Sequence, residues 1–162
     1  MQPIISSIGE DSHQFTPNKK LIIAGVEISE VDYGFQGNSD GDVVLHSICN
    51  CFDLVCDCGS IGNYADQMLV QKDIKDSSKY LDYVIQIAKH KGWQPHSVSV
   101  SIQGSKPKLE PYHAIFKQKL GQLLGVSKKK VGLTFTSGES LTAFGRGQGL
   151  KAITIVNFCR LA

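Results

Sequence analysis

Two short segments of this sequence carry residue types that hold metal ions: Asp11 and His13, two apart in GEDSHQF, and His46 in NSDGDVVLH. In an extended chain, side chains at i and i+2 point the same way, so Asp11 and His13 can converge on one ion. A histidine from a second element completes a set of three N/O ligands. With the fourth position open, that is the arrangement of a catalytic zinc, which acts as a Lewis acid toward a bound oxygen. A plainer reading also fits, with Asp11 and His13 as ordinary turn residues and His46 as a hydrogen-bonded surface histidine. A third segment, TSGESLTAFGRGQG at 136–149, offers the hydroxyls of Thr136 and Ser137, the carboxylate of Glu139 and the guanidinium of Arg146 among glycines. Hydroxyls and exposed amides bind phosphate oxygens, a glutamate can hold a hard divalent cation, and an arginine can fork onto a phosphate. The alternative is a flexible hairpin, and no Walker or dinucleotide fingerprint is present. Asn38 and Ser39 can donate hydrogen bonds to an anion, while Asp40 and Asp42 suit capping of a helix. GSKPKLEP at 104–111 reads, on its own, as a strand exit with solvated lysines.

These residues need elements to position them. Residues 4–8 and 21–28 are short β-branched runs, predicted as strands that pair as a hairpin across polar residues 14–20. After a loop over 30–41, a helix is predicted from Asp42 to about Cys56, with Asp42, His46, Asn50 and Asp53 on one polar stripe. A second helix, capped by Asp76 or Ser77, runs to about Lys91 and stops at Gly92. A half-buried strand follows over 96–103, a third helix over 112–124 ending at Gly125, and strands over 131–136 and 150–159. The order ββααβαββ, without repeats or linkers, predicts one α+β domain over residues 1–162. Its mixed sheet is covered by helices on one face and by self-association on the other.

Bulk properties narrow the function. A chain of 162 residues buries roughly 70% of its unfolded surface and needs no staple. Net charge +2 and pI near 8.2 are too mild for a duplex nucleic-acid face, and Lys128 to Lys130 read as a solvated turn. No stretch approaches the roughly 20 apolar residues of a membrane helix, and residues 1–15 lack the pattern of a signal or transit peptide, so the cytoplasm is expected. Cys49, Cys51, Cys56 and Cys58 crowd one segment that reads as helical, where i and i+2 diverge. They are expected as reduced, small apolar fillers rather than as disulfides or a metal cluster.

GEDSHQF, NSDGDVVLH, KPK and TSGESLTAFGRGQG, in this order and spacing, resemble the methylerythritol cyclodiphosphate synthase family over about residues 8–156. The resemblance implies conversion of 4-diphosphocytidyl-2-C-methyl-D-erythritol 2-phosphate to the cyclic diphosphate with release of CMP, a lyase reaction of the non-mevalonate isoprenoid route. It implies a homotrimer with active sites between subunits. It further implies one zinc per subunit on Asp11, His13 and His46, and a magnesium or manganese ion on Glu139. Asn38 and Ser137 fall at catalytic positions. Asp11 and His13 also approach the substrate, Thr136, Ser137, Glu139 and Arg146 match the diphosphate contacts, and Ser39 matches a sugar-phosphate contact. Gly104, Ser105, Lys106, Pro107, Lys108, Leu109 and Glu110 match the cytosine-recognising segment, and Ser60, Ile61 and Gly62 the ribose-binding turn.

The chain departs from the usual pattern at several points. Asn38 stands where many members have histidine, and Ser60 where an aspartate holds ribose hydroxyls, a role open to Asp57 or Asp66. Asn50 replaces an aspartate one turn beyond His46, which bears on that ligand's orientation. Gln148 replaces a glutamate near Arg146, and NYADQ stands where an acidic, proline-containing loop is common. Two other readings compete: a zinc-dependent phosphoester hydrolase on the same ligands, and a non-catalytic trimeric nucleotide- or isoprenoid-binding relative. The intact Asp11, His13, His46 and Glu139 favour the cyclising enzyme.

Overall fold

The computed structural model describes residues 3–161. Its main sheet has five strands in the order β4-β1-β7-β5-β6. These are β1 (Ile4–Pro17), β4 (Tyr33–Phe35), β5 (Trp93–Gln103), β6 (Val131–Thr136) and β7 (Gly149–Arg160). Only β5 and β6 run parallel, and the other pairs are antiparallel. The sheet is therefore mixed, as the sequence predicts. The predicted hairpin between residues 4–8 and 21–28 does not form. β1 instead continues through the polar residues and pairs with β7 from Ile4↔Cys159 to Gln14↔Gly149. Residues 21–28 fold on themselves as β2 (Leu21–Ile23) and β3 (Val26–Ile28). The reason is local: Ala24 and Gly25 both take positive φ, 52° and 73°, and a two-residue turn of that kind matches the twist of a tight hairpin.

The helices lie on one face of the sheet. α1 (Val43–Cys51) packs on β1 and β7, while α4 (Ser77–His90) and α5 (His113–Leu124) pack on β5 and β6. Asp42 caps α1, accepting from the Val44 and Leu45 amides at 3.0 and 3.1 Å. The same carboxylate accepts from Ala24 and Gly25 at 3.0 and 2.6 Å, so it also anchors the β2–β3 turn. Asp40, predicted to help cap α1, sits at the start of α4, where its Oδ2 accepts from the Ser77 amide at 2.9 Å. The predicted helix over 42–56 tightens at Phe52 and resumes as α2 (Asp53–Cys56). A further helix, α3 (Gly62–Lys72), was not expected from the sequence, because it buries only Tyr64 and Ala65 and so carries no apolar stripe. β4 likewise lies inside a stretch predicted as loop.

Leu150, Ala152, Thr154, Val156 and Phe158 of β7 face the helices and are fully buried. The alternate residues face away, leaving Ile4, Ile8, Ile153 and Ile155 exposed. All five cysteines carry free thiols, and four of them are buried. Among the described residues no helix is long and apolar enough to cross a membrane.

Candidate active site

β1 and α1 bring the ligand candidates together. Asp11 and His13 pair with Ala152 and Leu150 on β7, whose side chains face the helices, so both project toward α1. α1 can lie against β1 at that point because of Gly9. A Cβ there would stand 2.2 Å from the Ser47 carbonyl oxygen and 2.9 Å from the Cys51 nitrogen. The Ser47 and Thr154 hydroxyls, 2.6 Å apart, tie α1 to β7 as well.

The three ligand atoms form a small triangle. Asp11 Oδ2 is 3.1 Å from His13 Nε2 and 3.1 Å from His46 Nδ1, and the two ring nitrogens are 3.3 Å apart. In a tetrahedral zinc site with ligand bonds of about 2.0–2.2 Å, neighbouring ligand atoms lie about 3.3 Å apart. The triangle fits one face of such a tetrahedron. The outer ring nitrogens are engaged: His13 Nδ1 lies 3.0 Å from the Gln36 carbonyl oxygen, to which it can only donate. His46 Nε2 lies 2.8 Å from Ser77 Oγ, whose own hydrogen goes to Asp40. With neutral rings, both inner nitrogens therefore point lone pairs at the Asp11 oxygen, an arrangement that a cation or a proton must relieve. Without a cation, a proton shared between His13 and Asp11 takes that place. Burial opposes the charged ring of His13, but the hydrogen bond and charge of Asp11, aided by the Gln36 carbonyl, raise its pKa. Burial likewise opposes ionised Asp11, yet the hydrogen bonds and charges of His13 and His46 hold it below the ordinary carboxylate value.

A cavity of about 180 Å³ opens beside the triangle, lined by His13 and His46, by Gly37, Asn38 and Ser39, by Ile61, Gly62, Ala65, Asp66 and Leu69, and by Tyr80. A larger groove of about 820 Å³ shares Gly37, Asn38 and Ser39 but includes none of the three ligand candidates. The ligand geometry, not the volume, locates the site.

The profile of the YgbB family matches residues 4–158. The chain belongs to the YgbB family. It is 40% identical over 159 residues to a protein of Chlamydia trachomatis serovar L2b named 2-C-methyl-D-erythritol 2,4-cyclodiphosphate synthase, covering 94% of this chain and 88% of that protein. Two solved structures of a synthase of that name share the fold, each at 24% identity over 94% of this chain and 98% of theirs. Their TM-scores are 0.85 and, for a form bound to CDP, 0.84.

The remaining residues that the resemblance implicates divide between two places in the chain. Asn38, Ser39, Ile61 and Gly62 line the cavity beside the metal candidates, whereas exposed Ser60 lies just outside it. A second, shallow cavity of about 50 Å³ is lined by Gly104, Ser105, Pro107, Lys108, Leu109, Glu110, Thr136 and Ser137. Lys106 turns away from it, with its ammonium 5.2 Å from the Tyr33 ring and 5.9 Å from that of Phe15. Glu139 and Arg146 are exposed in the turn between β6 and β7. There Ser137 Oγ donates to the Glu139 carboxylate at 2.7 Å, and Arg146 donates to the Ser140 carbonyl at 3.3 Å. The strand register sets the separation. Ser12, Lys151, Gln103 and Thr136 form one row across β1, β7, β5 and β6, so Thr136 lies three strand spacings, about 14 Å, from β1.

The polar stripe that runs along α1 into α2 does more than hold His46. Asn50 makes no hydrogen bond to that histidine. Its amide donates to the Glu10 carbonyl at 3.0 Å and accepts from the Ile61 amide at 2.9 Å, while Asp53 accepts from Gly59 at 2.6 Å. The stripe thereby fastens the turn over 59–61 beside the strand that carries Asp11. Several residues of the site escaped the sequence reading in their present roles: Gly9, the Gln36 carbonyl, Lys19 and Tyr80. Lys19 donates to the carbonyls of Phe35, Gly37 and Ser39 at 2.8, 2.9 and 2.6 Å and so shapes the loop that bears Asn38. No sequence motif marks a lysine for that task.

Proposed function

We propose that this chain converts 4-diphosphocytidyl-2-C-methyl-D-erythritol 2-phosphate into 2-C-methyl-D-erythritol 2,4-cyclodiphosphate and CMP, as a cyclising phosphorus–oxygen lyase of non-mevalonate isoprenoid synthesis in the cytoplasm. The observation that carries the reading is the triangle of Asp11, His13 and His46, with edges of 3.1–3.3 Å, beside a cavity of about 180 Å³ in a chain of this family. The relatives' shared name and the CDP-bound neighbour support the choice of a cytidine nucleotide.

Asp11, His13 and His46 hold zinc in each subunit, and Glu139 holds magnesium or manganese with the substrate diphosphate. Divalent cations at these positions supply Lewis acidity toward phosphate oxygens and offset the charge of the leaving group. The chain needs no general base, because the nucleophile is the substrate's own ionised 2-phosphate. An oxygen of that group attacks the β-phosphorus, the bond from the β-phosphorus to the bridging oxygen breaks, and CMP carries that oxygen away. Catalysis by positioning and electrostatics suits phosphoryl transfer. Asn38 donates hydrogen bonds to the transferring group and Ser137 lies against it, with Ser39 on the sugar phosphate and Thr136 and Arg146 on the diphosphate. The segment Gly104 to Glu110 takes the cytosine, and Ser60, Ile61 and Gly62 meet the ribose, with Asp66 on the cavity wall close by.

The separation of about 14 Å between the two cavities' strands favours a site completed by a neighbouring subunit. Ile8 and Ile155, directly paired on the open sheet face, are exposed at 68% and 43% and support burial of that face in a homotrimer of this single domain.

The test is an incubation of purified protein with the cytidine diphosphate substrate, zinc and magnesium, followed by phosphorus NMR. The expected products are the cyclic diphosphate and CMP, and a linear phosphate would overturn cyclisation in favour of hydrolysis. His46→Ala is expected to lose zinc and turnover while keeping its circular dichroism spectrum. Full turnover by that variant with zinc verified absent would overturn the metal assignment. Sedimentation should report three chains per particle, and a fully active monomer would overturn the shared site.

A further inference from the structure

We infer that Ser77 and Asp40 form a positioning pair that presents His46 Nδ1 to the metal and ties that ligand to the loop bearing Asn38 and Ser39. The inference rests on the metal reading above. Three elements meet in it. His46 comes from the middle of α1, Ser77 from the first position of α4, and Asp40 from the loop between β4 and α1. Ser77 is fully buried and His46 is 7% exposed, so water does not compete for the bonds between them.

The donors and acceptors leave one arrangement. The Ser77 hydroxyl donates to Asp40 Oδ1, and the Ser77 amide donates to Asp40 Oδ2 at 2.9 Å. Oδ1 also accepts from the Asp42 amide at 3.1 Å, and the Asp40 amide donates to the Lys75 carbonyl at 2.9 Å, so the carboxylate is held from both sides. With its hydrogen committed to Asp40, Ser77 Oγ can only accept from His46 Nε2 at 2.8 Å. That bond places the hydrogen of neutral His46 on Nε2 and leaves the lone pair of Nδ1 facing Asp11 Oδ2 at 3.1 Å. A metal-bound histidine whose far nitrogen donates to a fixed acceptor is locked in both tautomer and ring rotation. Here the acceptor is a serine made rigid by a carboxylate rather than the carboxylate itself.

The same chain of bonds reaches the substrate side. Asp40 follows Asn38 and Ser39 directly, and the Ser39 hydroxyl accepts from the Gly41 amide at 3.1 Å. Ordering of His46 by a metal and ordering of the Asn38–Ser39 loop therefore favour each other, because both require Asp40 to stay at the start of α4. Ser77 is a positioning residue and touches no reacting atom.

The experiment titrates zinc into metal-stripped protein against a competing chelator, for the wild type, Ser77→Ala, Ser77→Thr and Ser78→Ala, and records the visible spectrum of each with cobalt(II). Ser77→Ala is expected to weaken zinc about 10–100-fold, the usual effect of removing a ligand's outer partner. It is also expected to alter the cobalt bands. Ser77→Thr, which keeps the hydroxyl, should bind zinc within about threefold of wild type, well short of the loss that follows removal of such a partner. Ser78→Ala should match wild type. If Ser77→Ala does not fold, Ser77→Cys preserves the volume, and its poor acceptor should produce a weakening in the same direction. Zinc affinity and cobalt bands unchanged in the folded Ala or Cys variant, whatever the melting temperature does, would overturn the pair while leaving the metal site standing. Failure of the wild type itself to bind zinc would overturn both.

Discussion

Gly9→Ala tests whether close approach of α1 to β1 builds the metal site. The added methyl would stand 2.2 Å from the Ser47 carbonyl oxygen, 2.9 Å from the Cys51 nitrogen and 3.1 Å from Asn50 Cβ, two of which are backbone atoms of α1. A carbon–oxygen contact relaxes only beyond about 3.2 Å, so α1 must retreat by about 1 Å. Overpacking of this kind costs about 1–3 kcal/mol, which for a chain of this size lowers Tm by about 2–12 °C. The more telling effect is geometric. His46 rides on α1 and Asp11 on β1, and their contact of 3.1 Å is one edge of the ligand triangle. Ligand sets tolerate about 0.5 Å of displacement, so a shift of about 1 Å should weaken zinc by about 100-fold. Thermal denaturation in chelator gives the packing cost, and competitive zinc titration gives the geometric one. A variant with a lowered Tm and wild-type zinc affinity would refute the reasoning, since α1 would then have moved without opening the triangle.

The raised pKa of His13 sets opposite pH trends for the metal-free and zinc-bound protein. In chelator, the stabilisation from its bound proton is complete below the ordinary value of 6.5 and lost as pH rises through the folded-state value. Zinc requires the neutral ring, so its affinity should climb over the same interval and then level off. Zinc binding independent of pH between about 6 and 8 would exclude His13 as a ligand. Asp42→Ala removes the acceptor of four backbone amides. Urea unfolding should show a loss of about 2–4 kcal/mol, combining a helix cap with buried amides left unpaired; a loss under about 0.5 kcal/mol, the range of ordinary surface changes, would contradict that role. Lys19→Met removes the ammonium that gathers three carbonyls of the loop over 35–39. In the cyclisation assay kcat/KM should fall about tenfold or more through misplacement of Asn38 and Ser39, and an unchanged value would show that the loop holds its shape without it.

Elements governed by local chemistry were legible. The cap at Asp42, the stop at Gly125 and the alternation of β5 each follow from a few neighbouring residues, and each is present. Elements that depend on long-range pairing or bury little surface were not legible. β1 looked short because its second half is polar, yet its backbone is satisfied by β7, some 140 residues further on, a partner that hydropathy cannot identify. α3 lacks an apolar face because most of it is exposed, so periodicity had nothing to register.

The site divides in the same way. The sequence by itself supplied the donor types and the family resemblance: Asp11 and His13 share a side because strand side chains alternate, and His46 lies on the polar stripe of a helix. Which nitrogen of each histidine faces inward, and the 3.1–3.3 Å that separate the ligand atoms, were decided only by tertiary structure. So were the partners that enforce them: the missing side chain at Gly9, the carbonyl of Gln36, and the paired Ser77 and Asp40. Spacing along a chain can place a residue on a face, but bond direction between elements depends on how closely their backbones approach and which polar groups are buried between them.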